Sequence, residues 1–290
     1  MRKQVVFATA MMFICCPFIV WATNSNKKHS FQSIEKAESA GIIKLKIKGN
    51  GNGYSGNCID MTIMNTSNDS SFYLLEAGRR LKADDPTTQD ILVAKEQELK
   101  MAAKEIRHIK VFGFCCQNFN HAPSEKSKYG VGRMAAKKLV DLAEFLNKNT
   151  FTTSAMQNAV WSISDNMSVA SITDVDGEKT MALRTKAAEI KGVPVPSYTI
   201  TYANGTSESL RGNASLLSGQ IDYYLASNSE VEVGVFNEQG VQVMPIMSGL
   251  QDPDKYNYPF NIDVKGWPQG KYFVRVFVDG RKAKEKDFEL

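Results

Sequence analysis

Thiols are the first groups in this 290-residue chain that could do covalent chemistry, because it carries five cysteines and only three histidines. Cys15 and Cys16 lie in an apolar N-terminal run, which leaves Cys58, Cys115 and Cys116 in the rest of the chain. Three thiols in an oxidising compartment fit one disulfide and one leftover. The expected bridge joins Cys58 to Cys115 or to Cys116, since neighbours on a strand point to opposite faces and only one can meet a given partner. Cys116 and His121 could instead form a thiolate–imidazole pair, the imidazole lowering the thiol pKa and acting as base. The plainer alternative is a loop histidine beside a structural cysteine.

Carboxylates offer less. Asp174-Val175-Asp176-Gly177-Glu178 sets alternating acids around a glycine, as at the start of a calcium loop. No later Glu completes the set, and acids near the positive end of a helix account for the same pattern. Asp84, Asp85 and Asp90 are the acids that an exported hydrolase would have to use, though nothing in their spacing selects them. No phosphate loop, dinucleotide fingerprint, serine elbow or zinc-helix motif occurs. The residues thus leave enzymatic activity open but weigh against it, and they single out no catalytic residue, no metal ligand and no cofactor.

The elements that must position these groups begin with an export signal. Arg2 and Lys3 precede an apolar run from Val5 to Ile19, and Val20-Trp21-Ala22 leads into a polar stretch. That order predicts a signal peptide over 1–22, cleaved after Ala22. Pro17 and the polar residues from Thr23 argue against a retained transmembrane anchor. The expected place is extracellular, at the cell surface or in the periplasm. The formal charge of +4 drops by two when Arg2 and Lys3 leave, and no basic run with interleaved aromatics follows. Nucleic acid is thus not an expected partner, whereas an unidentified protein or cell-surface partner is.

Residues 23–41 read as a flexible leader. Period-two alternation then predicts strands over Ile42–Ile47, Cys58–Met64, Ser71–Glu76, Asp90–Ala94 and Arg107–Cys115, the last apolar on both faces near its end. The period changes to about 3.6 at Met134, Leu139, Leu142, Phe145 and Leu146, which predicts an amphipathic helix. A second helix follows Thr152–Ser154, and a third runs within Asp174–Ile190. Strands followed by helices predict an α+β domain over 42–191. Two prolines, Pro194 and Pro196, open an expected linker over 192–212. Beyond it, short strands separated by Asn/Gly turns predict an all-β, immunoglobulin-like sandwich over 213–290.

Two resemblances extend this reading. The run Val231 to Gly240 and the run Trp-Pro-Gln-Gly-Lys-Tyr-Phe-Val-Arg-Val from Trp267 to Val276 resemble the C-terminal immunoglobulin-like modules of secreted Bacteroidetes proteins. Those include type IX secretion sorting domains and hook-capping-type sandwiches. The resemblance implies an export or accessory module, either cleaved as a signal or retained. Phe114-Cys115 and Gln157-Asn158-Ala159-Val160-Trp161 are similar to the aromatic-Cys and Gln-x-Ala-Ile-Trp motifs of thioester domains in bacterial surface adhesins. That similarity implies condensation of Cys115 with Gln157 into an acyl thioester that host nucleophiles attack. The alternative is a structural Cys115 and a helix whose Ala159, Val160 and Trp161 pack into a core. The leading functional reading is a secreted or envelope binding, adhesion or structural protein. The covalent adhesin and the exported hydrolase are its alternatives.

Overall fold

Alternating burial along the first long strands shows what organises the N-terminal half. In β2 (Ile43–Gly49) and β3 (Ser55–Asn65), Ile43, Ile47, Ile59, Met61 and Ile63 turn inward, and lysines take the outer face of β2. The computed structural model describes residues 30–204 and 211–290. The expected signal segment, most of the leader, Cys15, Cys16 and residues 205–210 of the expected linker lie outside the described residues.

The described chain opens with β1 (Gln32–Ser33) and α1 (Ile34–Ser39) ahead of β2 and β3. It continues through β4 (Ser71–Leu75), β5 (Arg79–Ala83), β6 (Ile91–Val93), β7 (Gln97–Met101), β8 (Ile106–Cys115) and β9 (Lys128–Met134). Six of these strands close into a barrel in the order β2-β3-β8-β6-β5-β9, while β1, β4 and β7 make a small separate sheet. Closure removes the free edges that an open sheet would expose. The barrel core holds Ile47, Met61, Leu81, Ile91, Val111 and Tyr129 among others. Ile34 and Ala37 of α1 join that core, so the end of the segment read as a flexible leader is an ordered part of the fold.

Helices α2 (Lys137–Lys148), α3 (Thr153–Ser164) and α4 (Gly177–Lys191) pack on the outer wall formed by β6 and β8. Thr152 caps α3, accepting from the Ala155 N–H, and Asp176 caps α4. Beyond α4 come β10 (Thr199–Asn204), β11 (Arg211–Tyr224), β12 (Ser229–Asn237), β13 (Gln242–Gln251), β14 (Lys255–Asp263), β15 (Lys271–Val278) and β16 (Arg281–Glu289). They form two sheets, β10-β11-β14 and β13-β12-β15-β16, which share one core. β10 falls inside the expected linker. The buried Arg184 of α4 ties it to the helices, donating to the Ile172, Ala170 and Tyr198 carbonyls and to Thr199 Oγ1. Among the described residues no helix is long and apolar enough to cross a membrane.

The expected fold class, an α+β domain followed by an immunoglobulin-like sandwich, therefore gives way to a predominantly β protein with a closed barrel and several sheets. The reason lies in three strands that periodicity does not reveal. β5 is mostly basic, β7 alternates over only five residues, and β9 contains two glycines. Yet β9 joins β2 to β5, and without it the sheet stays open.

Gly132 permits that closure, because a Cβ there would lie 2.7 Å from the Arg80 carbonyl oxygen, whereas a Cβ at Gly130 would meet nothing within 4 Å. Gly132→Ala is expected to destabilise the protein by about 1–3 kcal/mol, as other overpacked sites do. Gly130→Ala is expected to stay within about 0.5 kcal/mol of the parent. Urea unfolding of the two variants checks the contrast.

Candidate functional site

The pleat of β8 sorts its side chains between two cores. Val111 and Cys115 point into the barrel, while Phe114 and Cys116 point into the helix layer. β6 does the same, with Ile91 and Val93 inward and Leu92 outward. Cys115 and Cys116 thus sit back to back, each in a different apolar interior.

At the end of β8 the ladder with β3 runs out, since Ser55, the first residue of β3, already pairs with Phe114. Helix α3 supplies the missing partner. Gln157 Nε2 donates to the Cys115 carbonyl oxygen at 2.9 Å, and the Cys115 N–H donates to Gln157 Oε1 at 3.1 Å. The same N–H also donates to the Tyr54 carbonyl oxygen at 3.3 Å. Gln157 is 1% exposed and Cys115 fully buried. A buried carboxamide needs such partners, and here one amide acts as a one-residue continuation of a strand.

One turn further along α3, Trp161 shares the face of Gln157. Its ring stacks on Tyr54 with centroids 5.7 Å apart and planes 20° from parallel. Its Nε1–H is buried and has no hydrogen-bond partner. Cys115, Gln157, Tyr54 and Trp161 therefore form one contiguous group. The first two were singled out on the sequence and are brought together from 42 residues apart. Tyr54 was not, although its place in Gly51-Asn52-Gly53-Tyr54-Ser55-Gly56 marks an aromatic on a glycine loop.

The electrostatics of the thiols follow from burial. Desolvation pushes the Cys58 and Cys116 thiols up to about 12, and for Cys116 the nearby Asp90 and Asp165 add to it against the pull of Arg80. Burial likewise raises Cys115 well above the ordinary thiol value, with Cys58 and Cys116 acting in the same direction. All three are protonated, free thiols. The expected disulfide from Cys58 to Cys115 or Cys116 is not formed. A bulge sets Asn57 and Cys58 opposite Phe112. Cys115 lies three residues further along β8, about 10 Å at 3.3 Å per residue, beyond the ~7 Å reach of a bridge between Cα atoms. Cys116 faces the other core.

Elsewhere the sequence candidates serve local structure. Cys116 forms part of a half-open cavity of about 690 Å³ with Arg80, Phe119, Lys137, Ile163 and Asp165. His121 is not in it; its backbone bridges to Thr88. Asp85 bonds Thr87, and Asp90 holds Arg80, the Ala83 N–H and Gln117. Asp174 accepts from the Thr152 and Asp176 N–H groups, and Asp176 caps α4, so the calcium-like run is a pair of caps. No group of metal-ligating side chains occurs among the described residues.

No protein-family model and no curated protein matches this chain.

Raised thiol values have a measurable consequence. The folded state holds protons that the unfolded state loses near pH 9, so stability is complete below that pH and falls as pH rises towards 12. The expected loss is on the order of 1 kcal/mol per pH unit for each of Cys58 and Cys116. Urea unfolding at pH 7.5 to 10.5 (roughly the range in which an ordinary thiol ionises) should show that slope, and the Cys58→Ala/Cys116→Ala double variant should reduce it to the part that Cys115 contributes.

Proposed function

We propose that this protein is an exported surface-binding protein that attaches to its partner covalently, by acyl transfer from a thioester between Cys115 and Gln157. The observation that carries this reading is the double hydrogen bond between the Gln157 carboxamide and the main chain of Cys115 at a buried site. The resemblance of Phe114-Cys115 and of Gln157 to Trp161 to thioester-domain motifs supports it independently of the geometry. Export is supported by the charged, apolar and small-residue order of residues 2–22, and a non-nucleic-acid partner by the nearly balanced charge.

The arrangement suits the chemistry. In the forming step the Cys115 sulfur adds to Gln157 Cδ, the C–N bond breaks, and Nε2 leaves as ammonia carrying the thiol proton. No oxidant or reductant is required. Negative charge in the tetrahedral intermediate develops on Oε1, where the Cys115 N–H already donates. Burial that keeps the thiol protonated also keeps water away from the acyl product. In the transferring step a primary amine of the partner attacks Cδ, the C–S bond breaks, and the thiol is regenerated as an amide forms.

The β-rich C-terminal part has no place in this chemistry and serves as a supporting module. Its outer strand β16 is rich in charge, with four basic and three acidic residues among nine, a composition that guards an edge against further pairing.

Intact mass of the exported protein tests the reading. The expected product has lost one ammonia, and Cys115 resists alkylation until methylamine is added, after which the mass rises by one methylamine. Gln157→Ala is expected to abolish both effects. A wild-type mass without the loss, with Cys115 alkylated once the protein is unfolded, overturns the covalent reading and leaves Gln157 as a structural clamp.

A further inference from the structure

We infer that Tyr54 is the gate that controls access to the Cys115–Gln157 site. What the gate would admit rests on the acyl-transfer reading, but the gate itself rests on geometry alone.

Cys115 and Gln157 are shut off from solvent, and Trp161 is 5% exposed, whereas Tyr54, stacked on that indole, is 40% exposed. Tyr54 is thus the layer between Trp161 and water. Its main chain reaches the reacting residue itself, through the hydrogen bond from the Cys115 N–H. Ring and backbone of one residue therefore cover the site together.

The loop is built to release that cover. Gly51, Gly53 and Gly56 hold φ values of +76°, +98° and +75°, a region that glycine enters freely and side chains rarely do. Gly56 packs against Thr153 of α3, with 3.4 Å to its Cγ2 for an added Cβ, while nothing lies within 4 Å at Gly53. The Gly56 end is anchored and the Gly53 end is free. Lifting Tyr54 breaks its long 3.3 Å hydrogen bond without orphaning a donor, because the Cys115 N–H keeps Gln157 Oε1.

Beneath Tyr54, Trp161 keeps a buried Nε1–H with no hydrogen-bond partner, a polar group that the closed interior leaves unsatisfied.

The test uses the full exported protein and three variants, Tyr54→Ala, Tyr54→Leu and, as a distant exposed control, Tyr224→Ala. The probe is methylamine, followed by intact mass. Tyr54→Ala is expected to accelerate its incorporation about tenfold, as expected where access follows the population of a locally opened state. Tyr54→Leu is expected to accelerate it less, and it replaces the alanine variant should that one fail to fold. Unchanged rates in both Tyr54 variants overturn the gate. Should no ammonia be lost and Cys115 prove a plain thiol, its alkylation by iodoacetamide in a Cys58→Ala/Cys116→Ala background reads the gate separately. The same acceleration in Tyr54→Ala then supports the gate while the acyl-transfer reading fails, and an unchanged rate overturns both.

Discussion

Strand β8 has apolar residues on both faces of its second half, and that constraint governs the architecture around it. A strand buried on both sides must be covered twice, here by the barrel interior and by the layer of α2, α3 and α4. Its partner β6 obeys the same rule over three residues, and Gly113 lets the two approach, since a Cβ there would stand 2.6 Å from Ile91 Cγ2. The strict alternation of the pleat then separates Cys115 from Cys116 into different cores. Neither thiol can share a partner with the other, and both are desolvated. The chemistry available to the thiols is thus set by packing before any specific contact is considered.

A glutamine in this buried, apolar interior is costly unless both ends of its amide are satisfied. Gln157 meets that demand by pairing with the main chain of Cys115 rather than with another side chain. Main-chain groups at the end of a ladder are fixed in direction, so the amide is held without any adjustable partner. The same two hydrogen bonds that make the clamp a structural feature place a donor on the oxygen that would carry charge during acyl transfer. Structural and chemical roles are not competing explanations of the contact; they differ only in whether the sulfur can reach Cδ.

Some of this was legible in the sequence. Ile109 to Cys115 announced a doubly buried strand, and Thr152–Ser154 announced the start of α3. The contact of Gln157 with Cys115 followed from motif resemblance rather than from periodicity. What was hidden had physical causes. β5 carries Arg79, Arg80 and Lys82, of which Arg79 is buried among Glu35, Glu76 and the Gly132 carbonyl, so charge masks an interior position. β9 relies on glycines that periodicity reads as a loop, yet Gly132 is the residue that lets β9 lie against β5. The bulge opposite Phe112 shifts Cys58 away from Cys115, and a bulge leaves no mark in the alternation that precedes it. Cys58 and Cys115 therefore looked like partners on a face they do share, at a distance they cannot span.

A sealed acyl site has two requirements that oppose each other, exclusion of water and admission of a nucleophile. Rigid barrel walls satisfy the first, because strands paired on both sides open only with the fold. The second must then fall to a segment outside the ladder. The turn between β2 and β3 is such a segment, and its two ends differ. Gly49 is wedged against Ser124, where no Cβ would fit, and Gly56 is held by α3, but Gly53 between them meets nothing. A covering residue placed between pinned ends can move without loosening the barrel. Tyr54 occupies that position, and the same loop brings its carbonyl to the N–H of the residue whose sulfur is at issue. On the proposed reading, closure of the barrel and access to Cys115 fall to different parts of one strand connection, so that neither has to be weakened for the other.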